Sequence, residues 1–172
     1  QYHHVLKYHD WMSSIEIRQL TSSEPLSLED EYKMQASWQQ DEDKLTFIIL
    51  GKNLYENFSA SKDKKEREVF SMIGDVNCFL IEEDDEENEE NNDELNSGNK
   101  LSQVGELEIM IVDEVNRGHG CGSEAVRLMI NYILNTIHRL TKLVVKIDET
   151  NETSIRMFEK LGFQIYKHIR VF

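Results

Sequence analysis

The segment Asn116-Arg117-Gly118-His119-Gly120-Cys121-Gly122-Ser123 constrains this chain more than any other, because it follows a strand-like run and opens a helix-like one. Three alternating glycines strip side chains from a turn. Backbone N–H groups then converge on one point, where the dipole of the following helix adds partial positive charge. The ligand that fits is an anion, above all phosphate. Arg117 and His119 stand at the rim as charge-assisted donors, which matters in a chain of net charge −14 that would otherwise repel a polyanion. The competing account at this point is a glycine-rich turn that serves helix packing alone, since short glycine patterns recur by chance.

The flanking segments set the fold class. Val104 to Val112 alternates, with Glu106, Glu108 and Met110 on one face and Leu107, Ile109 and Ile111 on the other. Val69 to Ile81 is also rich in strand formers, with Gly74 marking a bend. Between them lie ten acids and no base from Glu82 to Asn99, and without those ten the net charge is −4, ordinary for a globular domain. The run 82–100 is expected to be a disordered acidic loop at the tip of an antiparallel hairpin. Upstream, one helix is expected from about His3 to Leu20 and a second from the Ser27-x-x-Asp30 box through Trp38, then a strand Lys44 to Leu50 and a polar surface insertion Gly51 to Glu68. Downstream, the pattern predicts a helix Gly122 to His138, a strand Lys142 to Ile147, a helix Glu152 to Leu161 stopped by Gly162, and a last strand Phe163 to His168. The class is α/β with a mixed central sheet and flanking helices, in a single domain over residues 1–172.

Composition excludes several function classes. A chain of 172 residues buries about two thirds of its unfolded surface and needs no disulfide or metal staple. Its apolar runs reach four or five residues, so no membrane span is expected. The acidic balance argues against a nucleic-acid surface. Cys78 and Cys121 lie 43 positions apart without CxxC pairing, which suits a reduced cytoplasmic or nuclear protein, and the six His show no metal-ligand spacing, so no metal is expected.

Spacing separates the kinds of phosphate loop. A dinucleotide fingerprint needs Gly where Ser123 stands, and a Walker loop needs a Lys that is absent. Arg117, Gly120 and Gly122 form R-x-x-G-x-G, which resembles the pyrophosphate loop of GNAT acetyltransferases. Asn151-x-x-Ser154-Ile155-x-Met157-Phe158-Glu159-Lys160-Leu161-Gly162-Phe163 resembles the second GNAT signature, 31 residues after Gly120, although Asn151 is also a good helix cap and Gly162 a good stop. Tyr8-His9-Asp10-Trp11-Met12, Thr21-Ser22-Ser23-Glu24-Pro25-Leu26, Glu31-Tyr32-x-Met34-Gln35-x-Ser37-Trp38, Asp43-Lys44-x-Thr46-Phe47-Ile48 and Gly74-Asp75-Val76-Asn77 are similar to the N-acetyltransferase 9-like branch of that family.

The resemblance implies a GNAT fold in which the strand before the glycine turn diverges from the next parallel strand, with acetyl-CoA as cosubstrate in the wedge. Backbone at Met110, Ile111 and Val112 would pair with the pantetheine arm. Arg117, Gly118, His119, Gly120, Cys121, Gly122 and Ser123 would hold the pyrophosphate, and Asn151 and Ser154 would contact the arm. A backbone N–H near Met110 would stabilise the oxyanion formed when an amine, expected to belong to a protein, attacks directly. That amine must be neutral, which an α-amino group nearly is and a lysine is not. Glu106 falls where many GNAT enzymes carry the base, Glu108 lies one pleat along, and Asp75 is a third candidate; the competing account is a solvated strand face. Phe158 stands where many relatives place the Tyr that protonates the leaving thiolate, so Ser154 or water would act instead, or the thiolate leaves unprotonated. Cys121 is not expected to be a nucleophile, and Tyr8, His9 and Trp11 read as helix-face packing. The resemblance also implies a strand before the Tyr8 helix and another after Phe172, neither within these residues. Two alternatives stay open: a GNAT-fold coenzyme-binding protein without catalysis, and an interaction protein that works through its acidic loop on a basic protein surface.

Overall fold

Alternating side chains force a strand to present two different faces, and four such strands build the centre of this chain. The computed structural model describes residues 1–21, 23–60, 62–83 and 102–170. Strands β1 (Lys44–Leu50), β2 (Met72–Glu83), β3 (Ser102–Ile111) and β4 (Leu140–Val145) form one sheet in the order β1-β2-β3-β4. The first two pairings are antiparallel and the third is parallel. The mixed sheet and the β2–β3 pairing are therefore as the sequence predicts.

One face is apolar. Helix α6 (Cys121–Thr136) sets Ala125, Val126, Met129 and Ile133 against Val76, Cys78, Leu80 and Leu107, and α7 (Glu152–Lys160) adds Phe158. The opposite face carries Lys44 and Thr46 of β1, Asp75 and Asn77 of β2, and Glu106 and Glu108 of β3 in cross-strand register. It is covered from the N-terminal side by α1 (Val5–Met12), α2 (Ile15–Thr21) and α3 (Leu28–Gln40), where Met12 and Ile17 pack on Met110 with Tyr8 and Trp11 beside them. The acidic candidates read from the sequence thus lie between the sheet and the N-terminal helices.

Several boundaries differ from those expected. The single N-terminal helix is a 3-10 turn (Tyr2–His4), α1 and α2, because the chain breaks at Ser13-Ser14. Arg18 Nη1 donates to the Met12 and Ser13 carbonyls at 2.7 and 3.1 Å, satisfying acceptors freed by the break. The polar insertion holds α4 (Lys52–Asn57) and α5 (Lys64–Ser71), so Val69 to Ser71 end a helix instead of starting a strand. Lys7 Nζ closes that end by donating to the Val69, Phe70 and Met72 carbonyls at 2.8, 3.0 and 3.1 Å, a cation where the helix dipole favours one. Strand β2 runs through Glu83, so the first two acids of the expected loop belong to a strand, and 84–100 lie outside the described residues. Phe163 to His168 form no strand. A strand needs a ladder partner, and among the described residues β4 pairs only with β3; Phe163 instead packs edge-on against the Phe158 ring, 5.1 Å between centroids.

Gly74 sits beside the point where the β1–β2 register slips, and a Cβ there would lie 1.9 Å from the Met110 carbonyl oxygen. The three nearest atoms all belong to the β3 backbone at Met110 and Ile111, so no side chain can move aside. Gly74→Ala is expected to destabilise the fold by about 1–3 kcal/mol, the range for forcing extra atoms into a packed site, measured by urea unfolding.

Candidate active site

Parallel pairing between β3 and β4 runs from Gln103↔Leu140 to Leu107↔Val145 and stops, while β3 continues against β2 as far as Gly74↔Ile111. From Glu108 onward β3 therefore has a ladder neighbour on one side only. The Val112 N–H donates to the Ile73 carbonyl at 2.9 Å. Alternation along an antiparallel ladder then turns the polar backbone groups of Met110 and Glu108 toward β2, and those of Ile109 and Ile111 toward the opening. Of the three residues expected to pair with a pantetheine arm, only Ile111 presents backbone to the opening, and the amides available to an oxyanion are those of Ile109 and Ile111.

Beyond β3, Asp113 shapes the approach to the turn by accepting from Val115 N–H (3.1 Å) and Asn116 Nδ2 (3.0 Å). Gly118 (φ +73°) and Gly120 (φ +89°) take left-handed conformations that disfavour side chains, and a Cβ on either would meet nothing within 4 Å, so space above the turn is open. Gly122 serves packing: its Cβ would lie 3.2 Å from the Met157 sulfur of α7. Gly120 caps α6 without a side-chain acceptor, which leaves the first-turn N–H groups of Cys121, Gly122 and Ser123 to a ligand or water. Arg117 does not stand at the rim. Its Nε donates to the Ile111 carbonyl (2.8 Å) and its Nη2 to the Val112 carbonyl (3.0 Å), with Nη1 3.7 Å from Glu16, so it ties the turn to the end of β3. His119 Nδ1 lies 2.8 Å from the Arg117 carbonyl, and as the donor there it leaves Nε2 as the free nitrogen.

The carboxylates sit beside the opening. Glu106 is paired with Lys146 at 2.7 Å. Glu108 reaches solvent, yet its carboxyl is crowded by protein; burial raises its pKa above the usual range, Glu106 adds to the rise, and Lys44 and Lys146 oppose it. Asp75 is 3% exposed and accepts from Asn77 Nδ2 at 2.8 Å. Burial pushes its pKa up to about 6, with repulsion from Glu108 contributing. Tyr8 lies among these acids, and burial, then Asp75, Glu31 and Glu108, hold its phenol well above the ordinary value. At the second signature, Asn151 Oδ1 accepts from Ser154 N–H at 3.1 Å and so caps α7, while Phe158 is buried in the core and offers no proton. Cys121 is a free thiol opening α6.

A strand that parts from its parallel neighbour just ahead of a side-chain-free turn agrees with what the comparisons find. The acetyltransferase (GNAT) domain model matches residues 1–164. An N-acetyltransferase 9-like protein of Schizosaccharomyces pombe is 43% identical over 96% of this chain and 83% of its own length. The human alpha/beta-tubulin-N-acetyltransferase 9 is 44% identical over 92% of this chain, which spans 66% of that protein. The chain belongs to the GNAT acetyltransferase family. Solved GNAT neighbours share the fold at low identity: a Trypanosoma brucei acetyltransferase (TM-score 0.63, 15% identical, covering 100% of this chain and 94% of its own) and an aminoglycoside acetyltransferase in complex with coenzyme A (TM-score 0.63, 17% identical, covering 95% and 80%).

In this GNAT domain, sequence patterning pointed to the glycine turn and the β3 acids but passed over Glu31, Lys44 and Lys146. Glu31 is 3% exposed on α3 and its Oε1 lies 3.1 Å from His9 Nδ1; in sequence it reads as one more acid in the capped first turn. Lys44 is 7% exposed, its ammonium 2.9 Å from the centre of the Trp38 ring, and burial lowers its pKa to about 8. Lys44 opening a strand resembles an ordinary edge lysine. The structure also brings His3, His4 and Glu68 within 4.8 Å of one another, a grouping hidden by 64 intervening positions.

Asp75 gives a pH signature. Its folded pKa lies above the unfolded value near 3.9, so the folded state binds the proton more tightly and stability falls as pH rises from about 4 to about 6. Asp75→Asn is expected to gain up to about 3 kcal/mol at pH 7.5 and nothing at pH 4, read from urea unfolding at the two pH values.

Proposed function

We propose that this chain transfers the acetyl group of acetyl-CoA directly to an amine of a protein. The observation that carries this is the parting of β3 and β4 after Leu107 beside the open, uncapped start of α6. The name of the human relative, an alpha/beta-tubulin-N-acetyltransferase, supports a protein as acceptor. Acetyl-CoA supplies a thioester already activated toward an amine, so no covalent enzyme intermediate is needed.

The chain's own groups would position and deprotonate. Amides from Gly118 to Ser123 hold the diphosphate, and the free edge of β3 at Ile109 and Ile111 aligns the arm, with Asn151 and Ser154 flanking it. One of these two β3 amides faces the thioester oxygen and stabilises its developing charge without reorganisation. Glu108 takes the amine proton, directly or through water; its raised pKa brings it closer to the working pH than an ordinary carboxylate. Glu106, held by Lys146, keeps a negative neighbour beside Glu108. The C–N bond forms, the C–S bond breaks, the proton goes to the carboxylate, and the thiolate departs. With Phe158 buried, the thiolate leaves without a tyrosine donor, and water or Ser154 protonates it. Free Cys78 and Cys121 suit a reducing cytoplasmic or nuclear setting.

Glu108→Gln is expected to lower kcat by roughly 10²–10⁴-fold with KM for acetyl-CoA unchanged, measured by thiol release with an amine-terminal peptide library. Glu106→Gln removes a charge that raises the Glu108 pKa, so the acid limb of kcat/KM should move to lower pH. Gly120→Val places a β-branched residue at φ +89° and should weaken acetyl-CoA binding at least about tenfold by calorimetry. Acetyl-CoA that binds the wild type normally, with no peptide ever acetylated, would identify a coenzyme-binding protein instead.

A further inference from the structure

Tyr8 of α1 meets the sheet at the end of β3. Its ring packs beside Met12, Ile17 and Met110, with the Trp11 ring 6.1 Å away between centroids. Met110 lies between Ile109 and Ile111, whose amides face the opening, and directly across the ladder from Asp75. Side chains alternate along a strand, so Glu108 stands on the same face as Met110, opposite Asn77 and about 7 Å along β3. Glu31 comes to the same place from α3, and the phenol is acted on by carboxylates of three elements, Asp75 most strongly, then Glu31 and Glu108. Tyr8 also lines the cavity of about 500 Å³ that these residues share, yet its hydroxyl makes no hydrogen bond with the described residues. A hydroxyl without a partner beside three acids adds nothing to the fold that a phenylalanine would not.

We propose that the Tyr8 hydroxyl is a catalytic proton relay, which takes a proton from the acceptor ammonium while handing its own to Asp75, so that the amine becomes neutral inside the site. The inference rests on the proposed acetyl transfer for where the amine sits. An amine that arrives as ammonium sheds two protons, one before it attacks and one after the C–N bond forms, and Glu108 holds only one at a time. In the relay an N–H bond breaks as an O–H bond forms on Tyr8, and the original Tyr8 proton joins an Asp75 oxygen. The phenol ends as it began, the ammonium becomes an amine and the carboxylate an acid; after the product leaves, the same path returns the proton to solvent. Tyr8 suits the step because burial and the acids hold its proton on, so it accepts and donates together and never becomes a phenolate. Asp75 suits the receiving end because its pKa of about 6 leaves it ionised at neutral pH yet nearer to an amine than an ordinary carboxylate is. Glu31 is already engaged by His9 at 3.1 Å. Lys44 of β1 opposes the rise at Asp75 and Glu108, while Glu68, His4 and the Gln1 amino group, also on the cavity wall, act on one another.

The test is the pH dependence of kcat/KM for Tyr8→Phe, which keeps the ring and its packing, with an amine-terminal peptide as acceptor. Without the relay only the neutral fraction of the amine reacts, so the acid limb, set in the wild type by carboxylates, should move up to the amine's own pKa, about 7.7–8.0. The expected deficit is at least about tenfold at pH 6.5 and less than about threefold at pH 9, with urea unfolding and acetyl-CoA affinity as in the wild type. Asp75→Asn should show the same shift, and the double variant should be no worse than either alone, because both changes cut one path. A deficit equal at every pH, which lost packing or a lost donor to the thiolate would give, overturns the inference, as does an undiminished rate or additive losses in the double variant. If no peptide is acetylated, the function proposal fails on its own, and ¹³C NMR of protein carrying [Cζ-¹³C]tyrosine, with CoA present, still decides the contact. Movement of the Tyr8 resonance, assigned by its loss in Tyr8→Phe, with the amine peptide but not with its N-acetylated form supports the relay. No movement, or the same movement with both peptides, overturns it.

Discussion

β3 loses its second ladder neighbour after Leu107, and the rest of the site depends on that loss. Backbone N–H and C=O groups shielded from water need partners, and with the Ile111 carbonyl taken by Arg117 the groups left to the opening are the Ile111 N–H and those of Ile109. Two features keep the opening from closing. Arg117 grips the carbonyls of Ile111 and Val112, which turns the chain away into the glycine turn, and α6 then starts with its first N–H groups unused. The proposed phosphate-bearing extended ligand would satisfy the strand edge and the helix start together.

The two faces of the sheet divide the labour. Below, Val76, Cys78, Leu107, Val126 and Ile133 make an apolar layer that holds α6 in place and therefore holds the turn. Above, Asp75, Asn77, Glu106 and Glu108 make a polar row that the N-terminal helices cover incompletely. Burying acids there is destabilising at neutral pH, as the raised Asp75 pKa shows, and such a cost is tolerated where function needs a proton acceptor or a countercharge. Tyr8 and Glu31 come to the same row from α1 and α3, so elements distant in sequence meet at one electrostatic site.

Features that depend on short-range pattern were legible in the sequence. The alternation of Glu106 to Ile111 placed the correct residues on each face, and the glycines before Ser123 marked the turn. Tertiary competition was not legible. Val69 to Ser71 have strand propensity, but Lys7, more than sixty residues earlier, caps them as a helix end. Phe163 to His168 look like a strand, but strand formation depends on a partner edge that no local pattern reveals. Arg117 likewise looked free to meet a phosphate, and only the fold shows that two carbonyls already hold it.

The most direct test follows amide hydrogen exchange residue by residue with and without acetyl-CoA. Exchange is expected to slow at Ile109 and Ile111 on the free edge of β3 and from Gly118 to Ser123, with Met110 unchanged because its N–H already faces β2. Acetyl-CoA that binds while these amides exchange as before would contradict it.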